Sequence, residues 1–192
     1  MSFLIVHGWQ NRRPEGHWQR WLAGRLRDDG HQVRYPQFPE PDVPVPADWL
    51  ALLRSELAAL DGGERVLVCH SLAVLLWWQA APSLGELQPD RVLLVAPPSA
   101  DVLRGYPEVA AFAPPGIETA TLPPDLVART RLVASDDDPY FPGGAASLYD
   151  DRFGLDVDVV PGGRHLDLPA GYGSWPSVPA WCTDPSVRIT PR

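Results

Sequence analysis

Ser71 stands where the apolar run Val66–Cys69 ends and the helix-forming run Leu72–Ala80 begins, with small residues two places away on either side, Cys69 and Ala73. A strand that turns sharply into a helix holds its corner residue in a strained conformation, with neighbouring chain packed close by, so only small residues fit at those two places. A serine at such a corner is exposed to attack a carbonyl carbon. Its hydroxyl is a poor nucleophile at its own pKa and needs a base, and the base needs an orienting acid. Downstream, Arg131–Ala134 leads into Ser135, Asp136, Asp137, Asp138 and Pro139, and Val157–Val160 leads into Pro161, Gly162, Gly163, Arg164 and His165. Together these side chains offer acyl transfer: His165 accepts the serine proton and returns it to the leaving group, while one of the three aspartates holds the imidazole and offsets its charge. The blander alternatives are a buried serine capping the next helix and an ordinary loop histidine after two glycines.

The elements that must position these residues follow from apolar runs and turn signals. Strands are predicted near Phe3–Val6, Gln32–Tyr35, Arg65–Cys69, Arg91–Val95, Arg131–Ala134 and Asp156–Val160. Helices are predicted near His17–Asp29, Ala47–Leu60, Leu72–Ala80 and Pro142–Phe153, with a helical turn or two near Trp175–Cys182. Such alternation implies an α/β fold, a mostly parallel sheet of about six strands with helices on both faces. Ligands of such sheets bind beyond the carboxyl ends of the strands, and Ser71, Asp138 and His165 all follow predicted strand ends. The stretch from Ala96 to Thr130 is the longest connection between strands. Pro97, Pro98, Pro107, Pro114, Pro115, Pro123 and Pro124 interrupt it, so at most one short helix is expected there, near Pro107–Phe112, with a minimal lid and an open, shallow pocket.

The order serine, acid, histidine along the chain is that of α/β-hydrolases. The sequence resembles the small single-domain members of that fold related to retinoblastoma-binding protein nine, the bacterial ones above all. The resemblance rests on Val6–His7–Gly8, Gly16–His17–Trp18–Gln19, His70–Ser71, the acids before Pro139, Gly163–Arg164–His165 and Gly171–Tyr172–Gly173–Ser174–Trp175–Pro176. It departs from the family pattern at Cys69 and Ala73, where glycines are usual, and at Arg164, where a glycine usually precedes the histidine. The resemblance implies a single hydrolase domain over residues 1–192 with a catalytic triad of Ser71, Asp138 and His165. Asp138 is the acid it carries over, directly before the proline of an Asp-Pro bond and correctly spaced from Phe141 and Pro142; Asp136 and Asp137 are the rivals. Backbone N–H groups of Leu72 and Trp9 are the expected oxyanion donors, with Gln10 as substitute for Trp9, and Trp9 and Gln10 are expected to touch substrate. His7 and His70 are expected to hold loops rather than do chemistry, and His17 to anchor the first helix near the pocket. The implied activity is hydrolysis of small esters through an acyl-enzyme. An amidase or aminopeptidase-like activity uses the same triad, and a protein-interaction domain with a vestigial triad is the reading from another class.

Composition narrows the field. At 192 residues the chain holds one substantial core. A net charge of −8, with arginines scattered rather than gathered into a stripe, argues against nucleic acid as a partner. All sixteen basic residues are arginine, which removes Schiff-base, phosphate-loop and Ser/Lys chemistries that need a lysine. No pairing of His, Cys, Asp or Glu has metal-site spacing, and no glycine-rich phosphate loop occurs, so no metal and no cofactor is expected. Two cysteines, Cys69 and Cys182, make no disulfide framework. With no apolar stretch of membrane-spanning length and no leader-like N-terminus, a cytoplasmic protein without membrane contact is expected. The 23 prolines crowd only in Pro36–Pro46, read as a rigid surface loop, while eight tryptophans and 45% hydrophobic residues argue for a packed core. No pattern sets the oligomeric state.

Overall fold

A computed structural model describes residues 1–116 and 121–192. Six strands form one sheet, β1 (Ser2–Val6), β2 (Gln32–Arg34), β3 (Arg65–His70), β4 (Arg91–Val95), β5 (Thr130–Ser135) and β6 (Asp156–Val160), in the order β2-β1-β3-β4-β5-β6. Every neighbouring pair is parallel. The central strands read as unbroken apolar runs because both faces are covered. Alternate residues serve opposite cores: Leu4, Val6, Leu67, Cys69 and Leu94 face one, Phe3, Ile5, Val66, Val68 and Leu93 the other.

The first core is closed by α2 (Pro46–Ala58) and α3 (Leu72–Ala80), the second by α1 (Trp18–Asp28) and α7 (Ser177–Thr183). Helix α3 is buried almost all round, as its composition of leucines, alanines and tryptophans requires. The strand order reverses at β1, which lies between β2 and β3. A crevice therefore opens beyond the carboxyl ends of β1 and β3, where α/β sheets hold ligands.

Two expectations are corrected. In place of a continuous helix over Pro142–Phe153, the chain forms a single turn, α6 (Ala145–Ser147), followed by a π-helical turn, Leu148–Arg152. Pro142 and two glycines delay the start, and Gly144 takes φ 77°, a left-handed value outside any helix. The Ala96–Thr130 connection carries not one short helix but α4 (Ala100–Arg104), a 3₁₀ turn at Ala110–Phe112, and α5 (Pro124–Ala128). Ser99 caps α4 by accepting the Val102 N–H at 3.1 Å, and Pro124 opens α5 at the one helical position where proline costs nothing. Residues 117–120 of that connection lie outside the described residues. Among the described residues no helix is long and apolar enough to cross a membrane.

The Pro36–Pro46 loop is more than surface. Phe38 is fully buried between His7 and Trp49, and carbonyls of Pro39, Pro41 and Asp42 accept bonds from Trp49 Nε1, Gln10 N and Trp9 Nε1. The loop thus braces the segment that follows β1.

Candidate active site

Ser71 follows β3 directly and adopts φ 57°, ψ −123°, a conformation that costs a non-glycine residue of order 1–3 kcal/mol and persists only where its surroundings enforce it. Here the Ser71 N–H donates to the Val95 carbonyl at 2.9 Å, and the Ser71 carbonyl accepts the Val74 N–H at 2.8 Å. Cys69 and Ala73 are both buried on either side of the corner. Across from it, Gly8 lies so near that a Cβ there would stand 2.7 Å from Ser71 Cβ.

His165 stands in the loop after β6, its Nε2 2.9 Å from Ser71 Oγ. Its Nδ1 lies 2.9 and 3.0 Å from the two carboxylate oxygens of Asp138. An ionised carboxylate only accepts, so the imidazole proton sits on Nδ1 and Nε2 is left as acceptor for the serine hydroxyl. Asp138 is buried and also accepts the Tyr140 N–H at 2.9 Å; the Tyr140 ring packs 4.4 Å from the imidazole, centroid to centroid.

The other two acids are engaged elsewhere. Asp136 accepts the Gly162 N–H at 2.7 Å, and Asp137 accepts the Arg164 N–H and the Ser135 hydroxyl, each at 2.6 Å. They tie the loop after β5 to the loop after β6, and the bond from Ser135, then that from Arg164, holds the Asp137 carboxyl below its usual range. Arg164 sits at φ 51°, which explains why a glycine is the ordinary choice there.

Trp9 and Leu72 keep backbone N–H groups without an acceptor among the described residues, both beside Ser71 in a cleft of about 440 Å³. The expectation for Gln10 as a substitute donor is corrected: its N–H donates to the Pro41 carbonyl at 2.8 Å. Its side chain lines the cleft. The Trp9 indole is half-buried and packs edge-on against Tyr106.

Three further histidines surround the site in neutral form. His7 Nε2 accepts N–H groups of Phe38 and the Gln37 amide at 2.9 Å, while Nδ1 donates to the Gly8 carbonyl at 2.8 Å. His17 caps α1, its Nδ1 accepting the Gln19 N–H. Burial pushes both down to about 4. His70, fully enclosed and pushed well below the usual histidine value by burial, donates Nε2–H to the His165 carbonyl at 3.1 Å. Sequence reasoning missed that bond across 95 positions, and it missed Tyr140 and Asp167 in the cleft wall. No local pattern marks any of them. Among the described residues no three His, Cys, Asp or Glu side chains are grouped so as to hold a metal ion.

A parallel sheet bearing a strained serine corner, with an acid and a histidine arriving from later strand ends, defines an α/β-hydrolase. The comparisons with known proteins place it more narrowly. A family model described as serine hydrolase matches residues 3–183, and the chain belongs to that family, which includes the relatives of retinoblastoma-binding protein nine. Among solved structures, the ydeN gene product of B. subtilis is 24% identical over 95% of this chain and 96% of that one, with a TM-score of 0.74. A putative YdeN-like hydrolase from Pectobacterium atrosepticum is 20% identical over 91% and 84%, TM-score 0.69, and Est1E from Butyrivibrio proteoclasticus 14% over 85% and 79%, TM-score 0.61. At these identities the likeness is one of fold. No curated protein matches.

Proposed function

We propose that the protein is a carboxylesterase-like serine hydrolase, one cytoplasmic domain over residues 1–192, that cleaves small esters through Ser71, His165 and Asp138. The observation that carries the reading is the continuous relay from Ser71 Oγ through His165 to buried Asp138, every step at 2.9 to 3.0 Å. Ser71 Oγ attacks the ester carbonyl carbon as His165 Nε2 takes its proton, and the imidazolium is stabilised by Asp138. The oxygen that becomes negative is received by the N–H groups of Leu72 and Trp9, donors free of other work and rigidly held. Collapse of the tetrahedral intermediate breaks the bond to the alkoxide, which leaves with the proton from Nε2. Water then repeats the sequence on the acyl-enzyme, giving its proton to Nε2 and releasing the acid, with Ser71 restored. Two buried, unpaired cysteines accord with a reducing compartment.

One observation favours an aminoacyl variant of the same chemistry. Asp167 lines the cleft beside His165, and its carboxylate accepts one backbone N–H, from Ala170, with no cation paired to it among the described residues. A substrate ammonium would find its counter-charge there. The test is hydrolysis of p-nitrophenyl esters from acetate to octanoate, and of alanine p-nitroanilide, by wild type, Ser71→Ala and His165→Ala, with fluorophosphonate labelling of each. Ester turnover and labelling lost in both variants is the expected result. Labelling that persists in Ser71→Ala, or silence of wild type on every substrate, overturns it and favours a binding protein with an idle serine.

A further inference from the structure

A second cavity, of about 210 Å³, lies beside the Ser71 cleft and shares Pro98 with it. Its walls are Leu75 and Trp78 of α3, Phe141 of the loop after β5, and Leu148, Tyr149 and Phe153 around the π-helical turn. Trp78 meets Tyr149 edge-on at 5.5 Å between centroids and Phe153 at 4.9 Å, and Tyr149 meets Phe153 at 5.4 Å. These rings brace one another, so the wall is already assembled. At the rim, Ser99 Oγ caps α4, and the Asp101 carboxylate pairs with Arg104 and stands out in solvent. Such a cavity selects hydrocarbon.

Its position says which part of a substrate reaches it. Leu75 lies four residues past Ser71, roughly 6 Å further along the α3 axis, and Leu72, whose N–H is one of the two proposed oxyanion donors, lies between them. His165, Asp167, Leu168 and Pro169 line the Ser71 cleft, whereas none of them lines the second cavity. The departing alcohol must stay beside His165 Nε2, which protonates it. With the alcohol running along the wall of His165, Asp167, Leu168 and Pro169, a group that leaves the reaction centre over Pro98 toward Leu75 belongs to the acyl part. An apolar cavity of about 150 Å³ holds a benzene ring, so this one accommodates a ring or a comparable length of aliphatic chain.

From the shared Pro98 wall and the aromatic lining we infer that this cavity seats the acyl chain, and that the substrates are esters of medium-chain or aryl-terminated carboxylic acids. The inference rests on the ester hydrolase reading. Short acyl groups end before the cavity, so the difference between acetate and octanoate isolates it. Each methylene moved out of water into the cavity contributes about fourfold to kcat/KM, and three of them roughly 60-fold.

The experiment compares p-nitrophenyl octanoate with p-nitrophenyl acetate in wild type, Ala100→Phe and Leu148→Asp. Both positions are half-buried at the cavity rim; the first change fills the space and the second places a charge in it, so a folding defect in one leaves the other to decide. The readout is the octanoate to acetate ratio of kcat/KM. A fall of about tenfold or more in either folded variant is expected, and a ratio unchanged in both overturns the acyl seat. If wild type hydrolyses neither ester, the ester reading itself has failed, and the cavity is judged by titrating sodium octanoate into the Ser71→Ala protein. Binding that Ala100→Phe abolishes upholds an apolar-chain site, and no binding overturns it.

Discussion

Replacing Gly8 by alanine tests whether the wall facing Ser71 is as tight as the geometry says. Gly8 has an ordinary backbone conformation, so the change introduces no φ penalty and its effect is steric alone. The added Cβ would stand 2.7 Å from Ser71 Cβ and 3.2 Å from both Ser71 Oγ and the His70 carbonyl oxygen. Non-bonded carbons rest at about 3.5–4.0 Å, so relief requires a displacement of roughly 1 Å in one partner or the other. Neither yields easily: Ser71 is pinned by bonds to Val95 and Val74, and the carbonyl of Gly8 is held by His7. A misplacement of about 1 Å at a reacting group costs on the order of 100-fold in rate, and overpacking costs about 1–3 kcal/mol in stability. At this chain length each kcal/mol lowers Tm by about 2–4 °C. Steady-state kinetics on p-nitrophenyl acetate together with thermal unfolding measures both. A variant that keeps kcat/KM within about threefold of wild type and an unchanged Tm would refute the reasoning, because the wall would then have yielded without cost.

Asp138→Asn keeps the shape of the acid but makes Nδ1 of His165 an acceptor, which drops kcat by about 10⁴-fold; Asp136→Asn and Asp137→Asn, which touch only backbone and Ser135, leave kcat within about tenfold, and equal losses in all three would return the acid to an open choice. His70→Phe keeps an aromatic ring, though a larger one, and removes the donor to the His165 carbonyl, so stability falls by about 1–3 kcal/mol and kcat falls while KM holds, a split read from kinetics on the same ester. His7 and His17 bind a proton only below about 4 in the native protein, against about 6.5 for an exposed imidazole. The unfolded chain therefore binds more protons between those values. Their contribution is complete above about pH 6.5 and is lost as pH falls toward 4, with a slope of roughly 1.4 kcal/mol per pH unit and group. Urea midpoints lower at pH 5 than at pH 7 are expected, with a smaller difference in His17→Asn, which keeps a capping acceptor for α1; equal midpoints in wild type would contradict the burial argument.

The parts of this protein legible from its sequence are those set by neighbours along the chain. Strand and helix alternation follows from apolar runs, because a strand buried on both faces must be apolar throughout, and the corner at Ser71 is marked by the small residues that its own turn requires. The rest depends on what the folded chain brings near. Three adjacent aspartates are alike in sequence, and only the approach of the β6 loop gives Asp138 to His165 while Asp136 and Asp137 clasp Gly162 and Arg164. Gln10 and Trp9 are equally placed after β1, yet Pro41, far along the chain, takes the Gln10 N–H and leaves that of Trp9 free. The expected helix from Pro142 fails for a local reason, two glycines after a proline, whereas α4 and α5 form despite the surrounding prolines, Ser99 capping one and Pro124 opening the other. Fold class and the strained corner at Ser71, the candidate nucleophile, were thus written locally. Which acid, which donors and which walls complete the site was decided by contacts between strand ends, because residues distant in sequence meet only once the sheet is assembled.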